Sequence, residues 1–216
     1  MSPFFREQTL LTRLIWFALI AEAALAVIEL RFALAFIALL TLALSMAPAL
    51  VARWAEIVVP KGFILAVVLF IASTVFLGEV YDFYNRLWWW DIAMHGGSAI
   101  GFGLVGFILV FMMFQGDRYA APPWAMGLLG ASIGIMIGVL WEIFEFAMDQ
   151  AFGLNMQKSG LPDTMGDLIV DVIGASLGGT MGGLYLRGLA HDSISKLVDE
   201  FVSLNSRFFS RFRRKR

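Results

Sequence analysis

Three sets of ionisable residues have spacings that could support chemistry. Asp91 and His95 are four residues apart at the start of an apolar run; Glu142, Glu145 and Asp149 are three and four apart; Asp163, Asp167 and Asp171 step by four. On a helix, each set occupies one face. His95 is one of two histidines, and the other, His191, lies in a polar C-terminal stretch. So many carboxylates in a low-dielectric pocket cannot all stay ionised without a cation. Carboxylates with a single imidazole suit a divalent ion such as Mn²⁺, Zn²⁺, Fe²⁺ or Mg²⁺, which would act as a Lewis acid or activate a water. His95, Glu142, Asp167 and Asp171 are the expected ligands. Asp91, Glu145 and Asp163 are expected around them, with Asp149, Glu79 and Asp82 in the wider pocket.

Other chemistries are excluded or lack their motif. With no cysteine there is no disulfide, thiolate metal site or thiol catalysis. No phosphate-binding glycine loop and no H-E-x-x-H occur, and no organic cofactor is implied. Ser98, three residues after His95, reads as a small packing residue rather than a nucleophile. The basic residues lie where a membrane surface would be, so nucleic acid is not an expected partner.

The elements that must position these residues are membrane helices. The chain is 60% hydrophobic with a mean hydropathy of +0.80. Its apolar residues fall into six runs, at about 10–28, 32–51, 62–77, 92–114, 123–146 and 168–186. These lengths match the roughly 17–25 residues of a membrane-spanning helix. Pro60, Pro122, Pro123 and Pro162 fall between runs, where helix starts tolerate proline. The fold class expected is all-α: a six-helix transmembrane bundle in a single domain, 1–189, followed by a tail, 190–216. Ala21-Glu22-Ala23 mimics a signal-peptide cleavage site, but the apolar run continues to Ile28 and reads as a membrane helix. No role can be read for Glu22 within it.

The net charge of −1 hides an asymmetry. With the N-terminus inside, cytoplasmic segments hold 13 of the 16 Lys and Arg, including Arg6, Arg118, Arg214, Lys215 and Arg216, and outer segments hold Arg31, Arg86 and Lys158. The positive-inside rule then predicts a multi-pass protein of a bacterial inner membrane with both termini cytoplasmic. In the tail, Ile194, Leu197, Val198, Phe201, Val202 and Leu204 recur at helical spacing, and Phe208, Phe209 and Phe212 alternate with arginines. This predicts an amphipathic basic helix on anionic inner-leaflet lipid, the alternative being a solvated basic tail. Oligomeric state is not legible.

In this orientation nine carboxylates and His95 converge on the outer ends of four helices, offset there by Arg86 and Lys158. Of 21 glycines, only Gly62 and Gly78 precede residue 88. Gly130, Gly134 and Gly138 step by four into Glu142, and Asp171 leads to Gly174, Gly178 and Gly182. Such stripes mark close helix approach, so the acids continuing them should point into the bundle. Structural alternatives stand beside these roles. Asp91 and Asp163 would serve as N-caps, Asp149 and Glu79 as solvated acids, and His95 as an interhelical hydrogen-bonding group. Trp88, Trp89, Trp90, Tyr81 and Tyr84 read as an interfacial aromatic belt.

The same motifs carry a family resemblance. Gly78-Glu79-Val80-Tyr81-Asp82-Phe83-Tyr84, Trp89-Trp90-Asp91 with His95, Trp141-Glu142-Ile143-Phe144-Glu145-Phe146, and Asp163-Thr164-Met165-Gly166-Asp167-Leu168 with Asp171 and Gly174 resemble the YjdF-type bacterial inner-membrane proteins. The resemblance runs from about Gly78 to Gly183, half the chain, and implies an inner-membrane location and an acidic site without an activity. The order His, Glu, Asp on successive glycine-rich helices is similar, more loosely, to VanZ-like envelope proteins.

Three functions fit these observations: a metal-dependent enzyme on a lipid or cell-envelope headgroup, a cation- or proton-coupled transporter, and a non-catalytic scaffold or sensor. The topology is testable because the chain has no cysteine. Ser159→Cys is expected to react with a membrane-impermeant thiol reagent from the outside of intact cells, while a C-terminal reporter fusion stays cytoplasmic. The reverse pattern overturns the orientation.

Overall fold

The structure is a computed structural model that describes residues 7–114, 117 and 121–213, and their side chains except those of residues 79 and 210–213. Arg6, Arg118, Arg214, Lys215, Arg216 and the Glu79 side chain therefore lie outside the described residues. As expected, the fold is all-α, with no strand among the described residues. Its helices are α1 (Leu10–Ile28), α2 (Phe32–Trp54), α3 (Lys61–Ile71), α4 (Phe83–Arg86), α5 (Trp90–Met113), α6 (Pro123–Phe152), α7 (Leu161–Leu186), α8 (Asp192–Leu204) and α9 (Ser206–Arg213). A π-helical segment, Ala72–Val80, continues α3. Among the described residues, six spans are long and apolar enough to cross a membrane: α1, α2, Lys61–Gly78, α5, α6 and α7. The sixth begins at Leu161, seven residues before its apolar run, because Pro162 and Asp163 suit a helix's first turn.

The described residues form two compact units. The first holds residues 7–90 with Glu200–Asn205. Thr9 caps α1 by accepting from the Thr12 amide at 3.1 Å. Trp16 is fully buried against Ala49, Ile64 and Val68, and its Nε1 donates to Ser45 Oγ at 3.0 Å. A smaller cluster joins Ala26, Leu34 and Ala35 to Phe76 and Val80. The α-helical bonding of α3 gives way where the Thr74 hydroxyl donates to the carbonyls of Phe70 and Ile71, at 3.1 and 3.2 Å. Back-bonding of this kind competes with the helical ladder and favours a local π turn. Asp82 is exposed, adopts a left-handed conformation (φ 61°) after this segment, and accepts from Asn85 Nδ2 at 2.6 Å. Trp88 and Trp89 are exposed as a belt requires, but Trp90 turns inward, edge-on to Phe83 with ring centroids 4.9 Å apart. Asn205 holds Val58 at both backbone groups, accepting from its amide at 2.8 Å and donating to its carbonyl at 2.7 Å.

The second unit holds Asp91–Asp199 and residues 206–213. Here α5, α6 and α7 approach on glycine. A Cβ on Gly134 would stand 2.8 Å from Gly103 N and 2.9 Å from Ala175 Cβ, and one on Gly178 would stand 2.9 Å from Leu104 N. Gly182 leaves room for the ring of Phe107. The stripes therefore do face neighbouring helices, since only a missing side chain lets these backbones meet. Beside them, Phe111 packs against Phe209 of the tail (centroids 6.0 Å), and Tyr185 donates to Asp199 at 2.7 Å.

Gly178→Val should therefore overpack this seam, at a cost of about 1–3 kcal/mol. Thermal unfolding in detergent is expected to show a clear fall in Tm. Gly97→Ala, where a Cβ meets nothing within 4 Å, should leave Tm unchanged.

Candidate metal centre

The site lies at one end of the second unit and is assembled by three helices and one loop. Asp91 sits in the first turn of α5, with His95 one turn on. The helix starts at Trp90, so Asp91 is inside it rather than capping it, and its carboxylate is free for other contacts. One oxygen, Oδ1, is 3.9 Å from His95 Nε2; the other accepts from Lys158 Nζ at 2.6 Å. On its second nitrogen, His95 Nδ1 is 3.4 Å from Asp171 Oδ1 of α7. Asp167, one turn earlier on α7 and 5% exposed, completes a group with Asp91 and His95 in which one ligand atom from each lies within 4.8 Å of the others. This Asp–His–Asp group could hold a metal ion.

The loop from α6 to α7 is shaped to deliver Lys158. Gly153 ends α6 in the left-handed region (φ 65°), its amide donating to the Asp149 carbonyl at 3.0 Å. The Asp149 side chain then accepts from the amides of Met156 at 2.7 Å and Gln157 at 3.0 Å. Gly160 opens α7 with φ 71° and ψ −131°, a conformation that favours glycine. Between these fixed points Lys158 reaches Asp91. Asp149 is thus a loop-fastening residue rather than a free interfacial acid.

The remaining acids divide between two settings. Asp171 is 3% exposed; its Oδ2 has no hydrogen-bond partner among the described residues and rests against Gly138, where any Cβ would strike it. Glu142, four residues on from Gly138, is 4% exposed, and its carboxylate interacts with the Thr164 side chain at a geometry short of a well-formed hydrogen bond. Glu145 is buried but held on its own helix, accepting from Trp141 Nε1 at 2.9 Å. Asp163 is half-buried in the first turn of α7; the cap position belongs to Gly160, so the helix dipole accounts for Asp163 rather than a cap bond. Ser98 donates back to the His95 carbonyl at 2.9 Å, the behaviour of a packing residue. Asp82 belongs to the first unit.

With this geometry in hand, relatives place the chain. A family model described as "Predicted membrane protein (DUF2238)" matches residues 11–188. The chain belongs to this family. The match takes in the candidate site and stops before α8 and α9. A protein of Thermotoga maritima described as uncharacterized is 33% identical over 110 residues, 49% of this chain and 56% of that protein. The chain thus spans about half the length of the curated relative it matches. No solved structure matches.

Sequence reasoning did not single out Lys158 as a partner of Asp91 or Gly138 as the seat of Asp171. The first had a signal, as one of the two cations that the expected topology sets among these acids; the second had one in its place on the glycine stripe. The loop geometry carries a prediction. Asp149→Ala removes two charge-assisted bonds to half-buried amides, worth about 1.5–3 kcal/mol each before compensation by water. It is expected to lower Tm and to open residues 153–160 to limited proteolysis.

Proposed function

We propose that the protein binds a divalent cation between Asp91, His95 and Asp167 and uses it on a lipid or cell-envelope headgroup at the outer face of a bacterial inner membrane. The observation that carries this reading is the convergence of three ligand atoms from two helices within 4.8 Å, with Asp171 behind the imidazole. A carboxylate on the far nitrogen fixes a metal-binding histidine's tautomer and ring orientation and raises its basicity. At bonds of about 2.0–2.2 Å, ligand atoms in a tetrahedral shell stand about 3.3–3.6 Å apart, so the three side chains would have to draw inward from their present spacing on binding an ion. A bound ion would polarise a headgroup oxygen or activate a water. Asp167 and Asp171 are neighbours in the site, one as ligand and one as orienting group; Glu142 is left for the substrate side.

Depth supports action at a surface. His95, Glu142 and Asp167 lie eighteen or nineteen residues from the opposite ends of α5, α6 and α7. At 1.5 Å per residue that is about 27–29 Å, close to the roughly 30 Å of a bilayer's hydrocarbon core. The site would then sit at the hydrocarbon–headgroup boundary. Residues 96–113, 123–141 and 172–186 contain no Asp, Glu, Lys, Arg or His, so the bundle offers no polar route onward. This disfavours the transporter. The YjdF-type and VanZ-like likenesses fit an envelope role and rest on the motifs alone. The inner membrane, cytoplasmic termini and lipid contact by the basic tail belong to the same proposal.

Lys158 favours a second reading. Its ammonium on Asp91 already supplies one positive charge, so the cluster would serve as a structural tie between the loop and α5. Elemental analysis and calorimetry with Mn²⁺, Zn²⁺, Fe²⁺ and Mg²⁺ separate the two. Under the metal reading, wild type binds one ion. His95→Ala and Asp167→Asn abolish binding, Asp171→Asn weakens it about 10–100-fold, and Lys158→Met strengthens it. If mildly purified wild type neither carries nor binds any of the four ions, and these variants change only Tm, the structural tie stands instead.

A further inference from the structure

Lys158 stands against a carboxylate that a bound cation would need. Asp91 turns its two oxygens to different groups: Oδ1 lies 3.9 Å from His95 Nε2, and Oδ2 accepts from Lys158 Nζ at 2.6 Å. The oxygen turned to the imidazole is the one an ion shared with His95 would take. The oxygen under the ammonium is closed to that ion, because a dication there would meet a second cation on the same atom. The ammonium is not loosely placed. Lys158 lies between Gly153 and Gly160, in the loop fastened by the Asp149 carboxylate. Its backbone takes a left-handed conformation (φ 26°), which glycine or asparagine adopts with less strain than lysine. What residue 158 contributes is therefore its side chain rather than its turn geometry.

We infer, resting on the cation site proposed above, that Lys158 decides which ion that site takes: by holding Asp91 to one oxygen it fits the site to an ion of the Mn²⁺ or Zn²⁺ kind and against Ca²⁺. Ca²⁺ takes about six to eight oxygen ligands and commonly both oxygens of a carboxylate. His95 puts a nitrogen where Ca²⁺ would want oxygen, which suits Mn²⁺, Zn²⁺ and Fe²⁺ better. The ammonium on Asp91 Oδ2 withholds another oxygen. Asp171 does not restore the count, because its Oδ1 is turned to the other imidazole nitrogen at 3.4 Å. Asp91 Oδ1, His95 Nε2 and the Asp167 carboxylate then make the three protein ligands of a site that keeps a place for water. The same set leaves Ca²⁺ far short of its shell. Lys158 acts through Asp91 and is a positioning residue.

Full-length protein, purified in detergent and freed of metal with chelator, would be titrated by calorimetry with Mn²⁺ and with Ca²⁺. Wild type is expected to bind Mn²⁺ and to bind Ca²⁺ much more weakly. In Lys158→Met both ions should bind more tightly, because a positive charge is gone, but Ca²⁺ should gain more. The ratio of Mn²⁺ to Ca²⁺ affinity should fall about tenfold or more, the scale on which a group behind a metal ligand acts. The lost charge acts alike on two dications, so the ratio isolates the freed oxygen. Lys158→Arg, which keeps a cationic donor for Asp91, should hold the ratio near wild type. A ratio unchanged in Lys158→Met would overturn the inference and leave the cation site standing. A Lys158→Met protein that no longer binds Mn²⁺ would also overturn it, since Lys158 would then build the site rather than restrict it. Wild type that binds Ca²⁺ as tightly as Mn²⁺ sinks the selectivity alone, whereas wild type that binds neither ion sinks the cation site and the selectivity with it.

Discussion

Everything at the candidate site depends on keeping several carboxylates out of water without leaving them uncompensated. Asp167, Asp171 and Glu142 are each about 95% buried, and an isolated buried charge is among the most costly groups a protein can hold. The structure lowers that cost by contact geometry. Asp171 is placed against His95, Asp91 takes Lys158 on one oxygen, and Asp167 is brought within 4.8 Å of both Asp91 and His95. These approaches require α5 and α7 to pack more closely than side chains allow, and α6 to leave room for the Asp171 carboxylate at Gly138. The glycine seams are therefore not a separate packing feature. They are the condition under which the acids of one helix reach the imidazole of another.

The loop between α6 and α7 solves a second part of the same problem. A lysine on a flexible loop would give Asp91 little, because an exposed ion pair contributes only about 0–1 kcal/mol. Here the loop is fastened at Gly153, at the two amides bonded by Asp149, and at Gly160, and Lys158 arises between those points. Much of the entropy of placing the ammonium is thus spent in forming the loop. A mobile cation would then meet a site whose nearest competitor is tethered, with one oxygen of Asp91 already engaged and the imidazole held from behind by Asp171.

The sequence made some of this legible and hid the rest for physical reasons. Glycines at steps of four identify close-packed faces because any larger residue there would force helices apart, and Gly134, Gly178 and Gly182 do lie at such contacts. Hydropathy located the six spans because lipid leaves few alternatives to a helix. It placed the start of α7 seven residues late, because the first turn of a helix at a membrane surface is built from Pro162, Asp163 and Thr164 rather than apolar residues. Capping chemistry misled at Asp91 and Asp163. Both have the residue type of a cap, but the helices begin one residue before Asp91 and two before Asp163. The Lys158–Asp91 bond joins residues 67 apart through a loop whose course depends on three backbone anchors, and no local pattern encodes that. The π-helical turn after α3 had only Thr74 as its sign, and Thr74 is unremarkable in sequence.

Polarity is confined to one end of the α5–α7 bundle, and this constrains function more than any single residue does. A pathway for ions needs successive polar stations through the membrane, but the three helices carry no acid, base or histidine beyond the cluster. Their remaining lengths are given to glycine, alanine and large aliphatic residues that seal against one another. The chemistry these helices can offer is therefore gathered at the end where Asp91, His95, Asp167 and Asp171 meet. Glu142 stands one helical turn from the seat of Asp171, so the buried acids of α6 and α7 fall at the same end of the bundle as His95.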